Sequence, residues 1–274
     1  MARSRTRNVL ARRIGPGGAS RGPEAVLVEE PMEVRLGDRT MTTTMRTPGH
    51  DYELAAGWCW AEGLLEGRTV REIRYCATGS AVDTGFNVVT VQTDGPPVEV
   101  APRLTAASSS CGICGSASVD DLLARLSPLP APSSPYAADV LARLGDAVRD
   151  CQELFDATGG SHAAAACTAA GAPLVVREDI GRHNAVDKVV GRLLLDDALP
   201  ASELVLWVSG RASFEMVQKA WAAGFGALVS VSAPSSLAVE LAARAGMVLA
   251  GFARDGRLTV FAGEDLVGGG PAGG

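Results

Sequence analysis

The sequence predicts an α/β protein of two units: a small N-terminal α+β domain followed by a C-terminal three-layer α/β sandwich. Three features carry this expectation. Apolar residues make up 47% of the 274-residue chain and aromatics only 5%, so small side chains dominate, which suits strands buried on both faces. The second half runs helix, two strands, then helix–strand repeats, an order that layers helices on a mixed sheet. Between the halves, 127–135 is rich in Pro and Ser and reads as a boundary. The expected organisation is a disordered basic tail over 1–23, the N-terminal domain over 24–135, the C-terminal domain over 136–264 and a flexible tail over 265–274.

In the first unit, Ala25–Val28 and Met32–Leu36 read as strands, with a turn at Leu36–Gly37–Asp38–Arg39 and a returning strand over Thr40–Met45. Thr47–Pro48 reads as a helix start, with Thr as N-cap and Pro where a missing N–H costs nothing. The helix runs from about Asp51 to Leu65 and ends near Gly67. Val70–Cys76 and Phe86–Gln92 are further strands. After an irregular stretch, Ser116 to Leu126 reads as a helix, with Ser118 and Asp121 spaced as a capping box.

In the second unit, Ala137–Phe155 has Val140, Leu141, Leu144 and Val148 at helical spacing. Ala163–Thr168 and Leu174–Arg177 are strands, and Asn184–Leu195 is a helix. Leu204–Val208 is a buried strand, Phe214–Ala223 a helix ended by Gly224, Ala227–Val231 a strand, and Ser235–Arg244 a helix ended by Gly246. Val248–Phe252 and Leu258–Phe261 form a hairpin about Asp255–Gly256, a type I′ turn signal.

Net charge is −6, which argues against a nucleic-acid-binding protein. The first stretch stands apart, with Arg3, Arg5, Arg7, Arg12, Arg13 and Arg21 and no acidic residue before Glu24. Arg12–Arg13 resembles a twin-arginine signal, but Gly15 to Gly22 follows it and is Gly- and Pro-rich rather than apolar. No run approaches the ~18 apolar residues of a membrane span. The expectation is a soluble cytoplasmic protein with neither membrane nor nucleic acid among its partners.

Of six cysteines, Cys59, Cys76, Cys151 and Cys167 sit in apolar or regular segments and read as small core residues. Cys111 and Cys114 differ: they form a C-x-x-C pair flanked by Gly112 and Gly115. Structural zinc needs four ligands, and His50, His162 and His183 are scattered, so no metal site is expected. A thioredoxin-like redox pair should follow a strand, but Ala107 and three serines precede Cys111. A sulfur-carrying thiol is the third reading. Glycines leave the sulfurs uncovered, a following helix N-terminus favours the thiolate, and the Ser/Pro-rich approach suggests a mobile loop. The residues alone leave redox and sulfur transfer open.

Four segments in consistent order resemble the FdhD family of formate dehydrogenase accessory proteins. They are Met45–Arg46–Thr47–Pro48–Gly49 leading to Glu53–Leu54–Ala55; Ser110–Cys111–Gly112–Ile113–Cys114–Gly115; Arg177 to Lys188 (REDIGRHNAVDK); and Ser209 to Lys219 (SGRASFEMVQK). The likeness runs from about Glu24 to Phe261. It implies a sulfurtransferase that takes persulfide sulfur from a cysteine desulfurase and passes it to the molybdenum (or tungsten) bis-guanine-dinucleotide cofactor destined for formate dehydrogenase. It implies Cys111 as the persulfide-bearing residue with Cys114 as its partner. It also implies cofactor binding by Phe252, Ala253, Arg254, Asp255, Gly256 and Arg257, a homodimer, and a C-terminal domain similar to the cytidine-deaminase fold.

Deaminase chemistry itself does not follow. It needs His-x-Glu and Pro-Cys-x-x-Cys at two helix starts; here those starts carry Gly181–Arg182–His183–Asn184 and Gly210–Arg211–Ala212–Ser213. Arg182, His183 and Arg211 are instead candidates for contacts to the cofactor's anionic groups. The plainer reading is that they cap helices and bond across domains. Without the resemblance, Arg254 and Arg257 would read as a solvated hairpin tip. Two alternative functions stand beside sulfur transfer: a dithiol–disulfide oxidoreductase and a non-catalytic cofactor-binding chaperone.

Overall fold

A computed structural model describes residues 3–65, 67–76, 79–95 and 125–268 of the chain. The Cys111–Cys114 pair and most of the predicted 116–126 helix, including Ser118 and Asp121, lie outside the described residues. The first unit is a four-stranded sheet in the order β4-β3-β6-β5. Its strands are β3 (Glu30–Leu36), β4 (Arg39–Arg46), β5 (Val70–Tyr75) and β6 (Val88–Thr93). The β3–β4 turn carries Gly37 at φ 59. Alternate residues Met32, Val34 and Leu36 point to one face, where with Val89 and Val91 they meet Leu54, Ala55 and Cys59 of helix α1 (Asp51–Ala61).

The second unit is a six-stranded mixed sheet: β8 (His162–Thr168), β9 (Pro173–Asp179), β10 (Leu204–Val208), β11 (Ala227–Ser230), β12 (Val248–Arg254) and β13 (Arg257–Ala262), in the order β13-β12-β11-β10-β8-β9. The β10–β11 and β11–β12 pairs are parallel and the rest antiparallel. Both faces are covered, as a three-layer sandwich requires. Period-two alternation divides β8 cleanly. Ala164 and Ala166 face a core shared with α4 (Arg182–Leu195), α5 (Phe214–Ala222) and α6 (Ser236–Ala245), while Ala163, Ala165 and Cys167 face α2 (Ala138–Arg149). Alanines on β8 let α4 lie close, with Val186, Val189 and Val190 filling the space.

The two units meet through α1 and α4. A Cβ on Gly57 would lie 1.9 Å from Asp187 O, and one on Gly191 1.8 Å from Glu53 O. Only glycines permit this approach, so the two helix backbones touch.

Several expectations need correction. Residues of the supposed disordered tail form an antiparallel hairpin, β1 (Thr6–Gly15) with β2 (Gly18–Leu27). The Gly/Pro stretch that looked structureless is its turn and the start of the return strand, and Arg12 lies opposite Arg21. The long 137–155 helix is broken: α2 stops at Arg149, and a short α3 (Glu153–Thr158) follows. Residues of the C-terminal tail are also ordered, because Val267–Gly268 (β14) pairs in parallel with Tyr136–Ala137 (β7). Thr47 does not cap α1. The position before the helix is His50 at φ 57 with no side-chain cap, and the Thr47 hydroxyl accepts from Ile180 N, in the other unit, at 3.1 Å. The turn signals at Gly224 (φ 82), Gly246 (φ 71) and Asp255–Gly256 (φ 53 and 67) are met.

Candidate functional site

The polar residues of three of the sequence motifs gather at the junction between the two units. Arg46, buried, makes a two-pronged pair with Asp51 (3.0 and 2.9 Å). Lys188, also buried, donates to Asp179 Oδ2 (2.7 Å), Thr47 O (3.0 Å) and Glu178 O (3.3 Å), which uses all three of its protons. Burial pulls the lysine's proton affinity below the usual range, and Asp179 only partly restores it. Asp179 in turn accepts from Thr47 N and from Asn184 Nδ2. Arg177 spans the units to Glu53 with contacts of 2.6 and 2.8 Å. Burial would raise the Glu53 carboxyl, but Arg177 and then His50 overcome it and hold it at about 2.

A second layer lies between α4 and α5. Lys219 donates to Asp187 at 2.7 Å, and His183 Nε2 lies 2.7 Å from Glu215 Oε2. His183 holds the Glu215 carboxyl below its usual range. His183 is therefore occupied by a protein partner. Arg211 is exposed. Arg182 lies against Gly210 beside His162, its buried Nε without an acceptor among the described residues. So the structure spreads the binding candidates His183, Arg211 and Arg182 over an ion pair, a surface position and the flank of a cleft.

That cleft, about 500 Å³, opens where β10, β11 and β12 end. In open α/β sheets ligands collect beyond the carboxyl ends of parallel strands. Its walls are Ala142 and Gly145 of α2, Trp207, Val231 and Ala253. Arg149, Asp146, Arg254 and Asp255 stand exposed at its mouth. His162 and Ser209 line the sheet end. Ser209 Oγ accepts from Ala163 N at 2.9 Å and lies 3.4 Å from His162 Nδ1. Burial, followed by the neighbouring Arg182 and His183, keeps the His162 imidazole below its usual range.

Three residues of the predicted 252–257 stretch line or border this cleft, and the hairpin carrying them is strained. Phe252 sits at φ 53 and is 43% exposed, with its ring tilted against Phe261. Arg254 lies directly opposite Arg257 across the strand pair. Like charges so placed repel, and an anion between them would relieve it. Sequence reasoning singles out neither Trp207 nor His162 as a site residue, and it quotes Ser209 only as the start of the Ser209–Lys219 segment. Among the described residues no three His, Cys, Asp or Glu side chains cluster to hold a metal, and no helix is long and apolar enough to cross a membrane.

Comparison with known proteins gives one consistent picture. The model of the FdhD/NarQ family matches residues 27–267. A sulfur carrier protein FdhD of Nocardia farcinica is 48% identical over 92% of this chain and 91% of its own. That of Streptomyces coelicolor is 49% identical over 93% of each chain, and that of Mycobacterium tuberculosis 44% over 89% and 92%. A crystal structure of a chain described as a formate dehydrogenase accessory protein of Desulfotalea psychrophila superposes with a TM-score of 0.74. It is 26% identical and covers 96% of this chain and 100% of that one.

Proposed function

The chain belongs to the FdhD/NarQ family, and from that premise we propose that it is a sulfur carrier serving formate dehydrogenase. The observation that carries the reading is the near-half identity to curated sulfur carriers across more than nine-tenths of both chains. Cys111 is the loading residue. Its thiolate attacks the outer sulfur of a cysteine desulfurase persulfide; the donor leaves as a thiolate, and Cys111 keeps the sulfur as S–SH. Cys114 is the release residue. Its thiolate attacks the inner sulfur of the Cys111 persulfide, the Cys111–Cys114 disulfide forms, and HS⁻ departs to the acceptor. A cellular dithiol then reduces the disulfide.

The acceptor substrate is the molybdenum bis-guanine-dinucleotide cofactor, bound in the cleft at the ends of β10–β12. Two features support that place. Arg254 at the cleft mouth offers phosphate contacts. The cleft has the size of a nucleotide site. The motif residues at the junction act differently: they hold the two units together.

The test is formate dehydrogenase activity in a strain lacking this protein and complemented with it. Wild type restores activity, and Cys111→Ala leaves it at the level of the uncomplemented strain at equal protein abundance. Full restoration by a Cys111→Ala/Cys114→Ala variant would instead establish a chaperone that binds cofactor without carrying sulfur.

A further inference from the structure

The arginine-rich segment plays no part in sulfur transfer. It forms the β1–β2 hairpin, and only the base of that hairpin packs on the rest of the molecule. Arg3 binds Glu30 and Asn87, and Leu27 Cδ1 lies against Gly160, where a Cβ would stand 3.9 Å away. Arg13 pairs with Glu24 inside the hairpin. Beyond the base both faces meet solvent. Arg7, Arg12 and Arg21 are exposed and have no partner among the described residues. At about 3.3 Å per residue the strands run for roughly 30 Å. A two-stranded ribbon is marginal in water by itself, so a partner that covers this one stabilises it.

One face of the ribbon says what kind of partner fits. Directly opposite residues of an antiparallel pair share a face. Here Leu10 lies opposite Pro23, Arg12 opposite Arg21 and Ile14 opposite Ala19. Leu10 is 62% and Ile14 78% exposed. Two guanidinium groups side by side, with an apolar step before and after them, fit a protein surface that offers carboxylates among apolar side chains. A nucleic-acid backbone fits worse. It gains nothing from Leu10 and Ile14, and the body behind the arm repels it. Residues 1–28 carry six arginines and one glutamate, so within a chain of net charge −6 the other residues hold −11.

The arm's position selects among protein partners. Its base rests on α3 and Gly160, and Phe155, Gly159 and Gly160 also line the cleft. A protein held by the arm is therefore brought to the cleft mouth. The chain that follows the cysteine segment enters at the other end of the sandwich. There Ser127 O accepts from Trp221 Nε1 in the last turn of α5, and Leu129 N donates to Ala245 O at the end of α6. Crossover helices run back from the carboxyl ends of their strands, so these helix ends lie away from the cleft. The arm stands with the cleft, where cargo leaves. The family match begins at residue 27, so nearly all of the hairpin precedes it. We propose that the β1–β2 hairpin is a docking arm for cofactor-free formate dehydrogenase, its Arg12–Arg21 face binding an acidic patch with apolar neighbours on that enzyme. This rests on the reading that the cleft hands its cofactor to formate dehydrogenase.

The test is binding of the full-length protein to formate dehydrogenase purified without cofactor from a strain lacking this protein, followed by biolayer interferometry. Wild type binds, and its affinity falls between about 50 and 200 mM salt. Arg12→Glu/Arg21→Glu leaves like charges opposite each other, so its unfolding midpoint stays at the wild-type value. It loses about tenfold or more in affinity together with most of the salt dependence. Ile14→Ser loses about threefold or more and keeps the salt dependence. In a Cys114→Ala background, sulfur loading of Cys111 by the desulfurase is the same with and without the double change. Undiminished enzyme affinity in the double variant, or none in wild type, overturns the docking role. The double variant's other losses then identify the true occupant. Slower Cys111 loading marks the sulfur donor, a dimer that dissociates in sedimentation marks a second copy, and lost binding of a duplex DNA probe marks a nucleic acid. The sulfur-carrier reading is judged separately: it fails if Cys111 does not load in a protein with the unaltered arm, whatever the enzyme binding.

Discussion

The junction between the units and the cleft beyond the β10–β12 ends are both rich in charge, and they handle it in opposite ways. At the junction, Arg46, Lys188, Arg177 and Lys219 each meet a carboxylate at 2.6–3.0 Å, and Lys188 spends every proton. At the cleft mouth, Arg254 faces Arg257 across the hairpin, and Asp255 holds a left-handed backbone. Paired charges build architecture. Like charges left facing each other at a cleft mouth can be relieved by a bound anion. Charged residues in a motif are thus not evidence of chemistry until their partners are known.

Substitutions at the junction should cost stability, and those at the cleft should cost binding. The largest effect belongs to Gly191→Ala. Its new Cβ would meet Glu53 O at 1.8 Å, so α1 and α4 must separate, at a cost of about 3 kcal/mol or more. Denaturant unfolding would read it. A wild-type-like midpoint would show that the two helix backbones do not touch. Glu53→Gln comes next, at about 1–2 kcal/mol at neutral pH. Because Glu53 titrates at about 2 rather than the ordinary 4.5, its contribution is complete above pH 4.5 and fades as pH falls toward 2. The wild-type minus variant difference in unfolding midpoint should therefore shrink across that window. A difference independent of pH would locate Glu53's worth elsewhere than in its charge. Arg254→Ala should change stability least, within about 0.5 kcal/mol, while GDP affinity and formate dehydrogenase restoration both fall. A destabilised Arg254→Ala protein would move that residue from the cleft's class to the junction's.

Much of this arrangement is legible in the sequence, because local rules wrote it. The strand over Ala163–Thr168, the glycine stops at Gly224 and Gly246, and the Asp255–Gly256 turn are short-range signals, and they appear as expected. What failed was long-range. The arginine-rich start looks too polar to order, yet its strands pair with each other over ten residues each. Thr47 reads locally as a cap, but Ile180, 133 residues on, claims its hydroxyl. Gly57 inside a helix is visible as an oddity, while its cause, a second glycine at 191, lies in the other unit. Trp207 reads as one more apolar residue of a buried strand.

Sulfur loading is the central claim, and it can be measured directly. The purified protein is treated with a cysteine desulfurase and cysteine, then digested without reductant, and the mass of the peptide containing Cys111 is determined. One added sulfur on Cys111 is predicted for Cys114→Ala, added sulfur on Cys111 or a Cys111–Cys114 disulfide with released sulfide for wild type and Arg254→Ala, and neither for Cys111→Ala. Added sulfur on Cys114, or loading that survives Cys111→Ala, would contradict it.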